Sequence, residues 1–204
     1  MLADIGKIAD TGRVAKFVSD GGLLVRFAGE RMTGAVDDLV PVKLRVGGRY
    51  LGGALAWAEP QHLAAFADNS PFNGLSIPDD VTVSRQVLAE PSVQLSDRTW
   101  ARLADGTPLV TAEQRGKGWI VLFHISASPA WSSLPLSGLY VDMLRRLLML
   151  ANGTNPAELA SAATLPALET LDGFGRLHTP EGDVPPLRAS ALSKTQPSRA
   201  HPPG

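Results

Sequence analysis

The chain has 204 residues, 44% of them hydrophobic, which is enough to bury the core of one medium domain with an appendage. Its 19 basic and 20 acidic residues leave a formal net charge of −1, so no global field favours nucleic acid or an anionic membrane as a partner. The sequence contains no cysteine, which excludes disulfides, thiolate metal sites and catalysis by a cysteine nucleophile.

The N-terminal residues predict a strand, a helix and a second strand in succession. Residues 2–5 are expected to end a strand, and a helix with an apolar stripe is predicted from about Asp10 to Asp20. Two glycines at 21–22 end that helix, because glycine adopts the left-handed cap conformation. The apolar run 23–27 then predicts a buried strand. Together these elements indicate half of a βαβ unit and a partly parallel sheet.

Short β-like runs separated by turn signals fill the middle of the sequence. The Asp105-Gly106 pair and the Arg-Gly-Lys-Gly sequence at 115–118 are turn signals, and they predict an antiparallel meander over about 98–124. The last strand of this meander is expected to join the main sheet. The run 51–57 predicts a further strand.

A long amphipathic helix is predicted after the meander. Apolar side chains recur at helical spacing from Leu136 to Leu148, and we expect this helix to pack on the sheet beside the last strand. It is too short and too charged for a bilayer span, which needs about 20 apolar residues. The N-terminus also lacks the pattern of a signal peptide, so the segment itself is expected to be soluble.

The composition changes after Gly153, because half of the 16 prolines lie in residues 153–204. We therefore predict an α/β domain over 1–152 and a β-rich extension over 153–179. Residues 180–204 are predicted to form a Pro-rich tail that is extended or disordered.

The strand at 118–124 ends on His124, which makes this histidine the first candidate for a functional residue. Functional groups in open α/β sheets collect just past the carboxyl ends of strands, so His124 is a candidate general base. The alternative is a histidine that bonds a neighbouring backbone group. Ser126 and Ser128 follow it, but no Gly-x-Ser-x-Gly elbow surrounds them.

The possible pocket predicted from sequence contains His124, Ser126, Trp131 and Gly29. Trp131 could line this pocket or could instead be an aromatic plug that covers the sheet edge. Asp4 is expected to satisfy backbone groups in a turn.

No metal and no cofactor are predicted. The acidic pairs Asp37-Asp38 and Asp79-Asp80 could hold a divalent cation, but solvated loop charges are the simpler interpretation of both pairs. The four histidines are far apart in the sequence and have no zinc-binding spacing.

Three segments carry a family resemblance: GGLLVRFAG at 21–29, ADGTPLVTAEQRGKGWIVLFHISASPAWSSLPLS at 104–137, and LDGFGRL at 171–177. Together they resemble the class I glutamine amidotransferase-like domain of bacterial BatA-like, aerotolerance-type membrane proteins, which end in a domain of unknown function. The resemblance implies an α/β, flavodoxin-like fold with a partly parallel sheet. It also implies truncation before Leu2, an antiparallel β insertion and a Pro-rich C-terminal extension.

The resemblance also bears on activity. The catalytic cysteine of true amidotransferases would correspond to the turn at 27–30, which holds no thiol, whereas His124 lies where that fold places its catalytic histidine. We therefore expect a non-catalytic interaction or ligand-sensing domain. The resemblance implies a parent protein anchored in the bacterial inner membrane, with this domain on the periplasmic side and with protein partners in a membrane-associated complex.

Two alternatives remain open from the sequence. One is a hydrolase that uses His124 with a serine or an activated water. The other is a small-molecule or glycan binding module in which Trp57 or Trp131 provides a stacking platform.

Overall fold

The computed structural model describes residues 1–32, 37–50, 60–153, 164–165, 167–171, 174–179 and 186–188. The chain forms two compact units, 1–154 and 155–204. The elements of the first unit are, in chain order, β1 (Leu2–Ala3), α1 (Thr11–Ser19), β2 (Leu23–Phe27), β3 (Leu44–Tyr50), β4 (Gln61–His62), β5 (Thr82–Val83), β6 (Arg85–Ala89), β7 (Thr99–Arg102), β8 (Pro108–Arg115), β9 (Gly118–Phe123) and α2 (Gly138–Ala151), with short 3-10 helices at Glu30–Met32 and Leu134–Leu136.

A mixed five-stranded sheet forms the centre of the first unit, with the strand order β1-β2-β9-β8-β7. Strands β1, β2 and β9 run parallel, whereas β8 is antiparallel to β9 and β7 is antiparallel to β8. This arrangement confirms an α/β fold with a partly parallel sheet. It also contains the predicted antiparallel meander, whose last strand, β9, joins the main sheet. Two further antiparallel pairs, β3 with β6 and β4 with β5, lie outside the sheet.

The two helices cover opposite faces of the sheet, because alternate side chains of a strand point to opposite sides. On one face, Val18 of α1 packs with Leu24 of β2 and Ile120 of β9. On the other face, Met143 of α2 belongs to the larger core that contains Phe27 and the last residues of β9. The predicted packing of this helix beside β9 is therefore present.

Both helices begin at a capping side chain, which explains their N-terminal boundaries. The carboxylate of Asp10 accepts a hydrogen bond from the Arg13 amide (2.9 Å) at the start of α1. The Ser137 hydroxyl accepts one from the Tyr140 amide (3.3 Å) at the start of α2. Leu136, the predicted first apolar position of this helix, lies in the preceding 3-10 helix instead.

The second unit is described only in short pieces. Strand β10 (Thr164–Leu165) pairs with β13 (Leu187–Arg188), and β11 (Thr170–Leu171) pairs with β12 (Leu177–His178); both pairs are antiparallel. Most of the predicted tail at 180–204 and the predicted strand at 51–57 lie outside the described residues. Among the helices that the structure describes, none has the length and apolarity needed to cross a membrane.

Gly118, the first residue of β9, allows α1 and the sheet to approach each other closely. A Cβ atom at this position would lie 2.2 Å from the carbonyl oxygens of Val18 and Gly22. This close approach also allows a backbone hydrogen bond, in which the Lys117 amide donates to the Ser19 carbonyl (3.0 Å). The end of α1 is thus joined to the start of β9 through backbone groups that leave no room for a side chain.

We predict that Gly118→Ala lowers the free energy of unfolding by about 3 kcal/mol, because the atoms it would contact belong to the backbone and cannot rotate away. Gly138→Ala is the matched control, since a Cβ there meets nothing within 4 Å. This control should change stability by about 1 kcal/mol or less, in the stabilising direction. Urea unfolding of both variants is the measurement, and equal midpoints would contradict the prediction.

Candidate functional site

Asp4 and Gly29 lie together at the carboxyl ends of the parallel strands. Asp4 follows β1, and Gly29 follows β2. A Cβ on Gly29 would lie 2.4 Å from Cγ of Asp4, so the carboxylate of Asp4 lies directly over the glycine. Asp4 adopts a left-handed backbone with φ of 47°. Its Oδ1 accepts a hydrogen bond from the Arg31 amide (2.9 Å). The Asp4 carboxylate thus bonds a backbone amide, but this amide lies 27 residues away along the chain, whereas the sequence predicted a bond within a local turn.

His124, at the end of β9, has no solvent-exposed surface. Its Nδ1 lies 2.7 Å from the carbonyl oxygen of Val87, and this oxygen can only accept, so Nδ1 carries the proton. The other ring nitrogen, Nε2, then accepts from the Thr111 hydroxyl (3.0 Å). The backbone of His124 also bonds Leu109 (2.8 Å) and Val87 (2.8 Å). This side chain therefore joins β6, β8 and β9.

Burial lowers the pKa of the His124 imidazole to about 4, although the hydrogen bond to Val87 opposes that shift. The ring is thus neutral near pH 7. The lone pair of Nε2 could serve as a base, but it is occupied by Thr111 and is closed off from solvent. The structure matches the alternative interpretation, a histidine that satisfies neighbouring strands.

The other residues of the predicted pocket are themselves buried or half-buried in the described part of the chain. Gly29 and Trp131 are buried, and Trp131 belongs to the main core. The Trp131 carbonyl accepts from the Ser84 amide (2.8 Å), and its side chain packs in the core, so it lines no pocket that the described residues form. Ser126 and Ser128 are half-buried, and the Ser128 carbonyl accepts from the Trp131 amide (2.9 Å). Trp57 lies outside the described residues.

A buried ion pair, Arg26 with Asp37, is the polar contact that the sequence analysis missed. Arg26 has no exposed surface, and its Nη1 lies 2.5 Å from Oδ1 of Asp37. The guanidinium also donates to the carbonyls of Leu39 (2.8 Å) and Ile5. The expectation that Asp37 is a solvated loop charge or a metal ligand is therefore wrong, whereas its neighbour Asp38 is exposed. The signal was present in the sequence, because an arginine inside an apolar strand requires a buried acceptor.

Asp37 also bonds the backbone of the segment that precedes α1. Its Oδ2 accepts from the Ile8 amide (2.9 Å), and its own amide donates to the Gly6 carbonyl (3.1 Å). The segment that precedes α1 is thus joined to the segment that follows β2. Across the described part of the chain, no three acidic or histidine side chains are arranged to hold a metal ion.

Among the described residues, the surface carries a polar cleft and an apolar groove. The polar cleft is lined by residues of the segment 37–44 together with Glu90, Arg98 and Arg115, and its volume is about 440 Å³. The apolar groove, of about 480 Å³, lies beside α2 and over Leu23 and Val25 of β2. Its lining includes Phe17 and Leu148, which are 56% and 63% exposed.

We predict that Asp37→Ala lowers the free energy of unfolding by about 4 kcal/mol, because it leaves the guanidinium of Arg26 buried without a counter-charge. Asp38→Ala removes the same charge from the neighbouring exposed position and should change stability by about 0.5 kcal/mol at most. Chemical denaturation at neutral pH measures both changes. A similar loss in the two variants would show that the ion pair is not the cause.

The buried imidazole of His124 should make the stability of the fold sensitive to acid. Its folded pKa of about 4 is below the ordinary value of 6.5, so on acidification the unfolded chain binds a proton before the folded one does. Stability that is present above about pH 6.5 is therefore lost as the pH falls towards 4, by about 3 kcal/mol in total. His124→Asn removes the titrating ring. Unfolding free energies of both proteins from pH 7 to pH 4 should differ in slope, and parallel curves would refute this assignment.

No protein-family model matches the chain, and no curated protein sequence matches it. The features that bear most directly on function are buried His124, the Arg26–Asp37 pair and the polar cleft.

Proposed function

We propose that this chain is a non-catalytic, amidotransferase-like domain that acts in interaction or ligand sensing within a bacterial membrane-anchored protein. The observation that carries the proposal is the environment of His124. His124, the first candidate base in the sequence, is neutral, hydrogen-bonded on both ring nitrogens and closed to solvent.

Amide hydrolysis by a covalent route needs a nucleophile within hydrogen-bonding reach of an accessible base. The turn that would carry the nucleophile is Ala28-Gly29, and the space above Gly29 is taken by the carboxylate of Asp4. Asp4 in turn caps the 3-10 helix at Glu30–Met32 through the Arg31 amide. These contacts favour a structural role for the turn.

The flavodoxin-like part of the proposal draws support from the order of elements. A parallel β1-β2-β9 core with α1 on one face and α2 on the other is typical of doubly wound sheets. The antiparallel strands β7 and β8 then correspond to the β insertion. The inner-membrane anchor of the parent protein and the periplasmic position of the domain rest on the family resemblance alone.

The apolar groove beside α2 supports an interaction role. Its lining includes three exposed apolar side chains, those of Met1, Phe17 and Leu148. Contiguous exposed apolar side chains are more typical of surfaces that contact other proteins than of a free surface.

We predict that the wild-type chain, and the parent protein that contains it, release no ammonia from glutamine above the rate in buffer. A panel of ester and amide substrates should give the same result, and His124→Asn should be indistinguishable from the wild type. An active class I glutaminase serves as the positive control. Turnover that is present in the wild type and lost in His124→Asn would overturn the proposal in favour of a hydrolase.

A further inference from the structure

The polar cleft has two lobes that share one wall. The first lobe, of about 440 Å³, and a second, of about 370 Å³, are both lined by Val42, Lys43, Glu90 and Arg98. The Glu90 amide donates to the Lys43 carbonyl (2.8 Å), so these two residues are held side by side. The lobes therefore form one continuous depression with charged side chains on its wall.

Two arginines are held rigidly at this cleft by one carboxylate. Glu113 accepts from Arg98 Nη2 (2.9 Å) and from Arg115 Nε (2.7 Å). Arg98 also donates to the Pro41 carbonyl, and Arg115 Nη2 donates to the Val40 carbonyl (3.2 Å). Each guanidinium uses two of its five N–H donors in these bonds. Both groups are therefore held in place before a ligand binds, and both keep donors for it.

The charges around the cleft have both signs. One carboxylate, Glu113, faces two guanidiniums, so this wall keeps a net positive charge, to which the exposed Lys43 adds. Negative charge comes from the exposed Glu90 and Asp38, whereas Asp37 is neutralised by Arg26. Because cationic and anionic groups line the same cleft, a ligand that carries both signs of charge can pair with both, whereas a ligand of one sign also meets groups that repel it.

We propose that the polar cleft binds a small zwitterionic molecule. Its carboxylate or phosphate group lies on Arg98 and Arg115, and its ammonium group lies beside Glu90. The cleft would be the ligand site of the sensing role proposed above. The biological meaning of the binding rests on that proposed function, but the binding itself does not. Binding is measured without any hydrolysis assay, so either proposal can fail while the other stands.

The test is a titration of the full chain with three probes that have four-carbon skeletons and differ only in their end groups: succinate, 4-aminobutanoate and 1,4-diaminobutane. NMR amide shifts give both affinity and location. We expect 4-aminobutanoate to bind with shifts centred on the amides of residues 42–44 and 90–98. The other two should bind about tenfold more weakly or not at all, since each loses one charged contact. O-Phosphoethanolamine in a parallel titration distinguishes a phosphate from a carboxylate preference.

Variants locate the site. Arg98→Gln should weaken binding of 4-aminobutanoate about tenfold, whereas Arg102→Gln, on β7 and outside the cleft lining, should leave it unchanged. Because Arg98 also holds Pro41, the exposed Glu90→Gln provides a second variant that is not expected to disturb folding, and it should weaken the zwitterion but not succinate. The proposal is overturned if no probe saturates, if succinate binds as well as 4-aminobutanoate, or if neither variant changes the affinity.

Discussion

The buried ion pair of Arg26 and Asp37 determines how the chain is arranged around one face of the sheet. A guanidinium in the middle of a buried strand must be surrounded by acceptors, and Arg26 obtains them from Ile5, Asp37 and Leu39. The segments before α1 and after β2 therefore meet at one point above the sheet. This contact also positions residues 40–44, which come next in the chain and form a wall of the polar cleft. A core interaction and a candidate ligand site thus have a common origin.

His124 shows how a position that could support catalysis can serve the fold instead. The backbone of β6 covers the ring, and Val87 bonds both its Nδ1 and its main chain. An imidazole that is satisfied on both nitrogens contributes stability only while it is neutral, so burial and proton transfer are incompatible at this position. The strand pair of β3 and β6 is thus joined to the central sheet through a side chain that an enzyme would need to leave open.

The elements with strong local signals could be predicted from sequence, and the contacts between distant segments could not. Helix α2 follows from its apolar spacing, and the β7-β8-β9 meander follows from its turn residues, because both signals lie within a few residues of each other. The burial of His124 depends on Val87, and the role of Asp37 depends on the course of the chain around α1. Neither contact has a periodic pattern. The pairing of Arg98, which precedes β7, with Glu113 of β8 likewise cannot be predicted until the register of the sheet is known.

The position of β9 between an antiparallel and a parallel neighbour has a consequence for folding kinetics. The β8–β9 hairpin closes through a tight turn at Gly116, whose φ is 62°, so it can form early. The pairing of β9 with β2 instead requires closure of the whole intervening chain, which makes it a late step. During this interval one edge of an apolar strand has no partner. Aggregation during refolding would therefore begin at β9, the strand that is the most protected in the finished sheet.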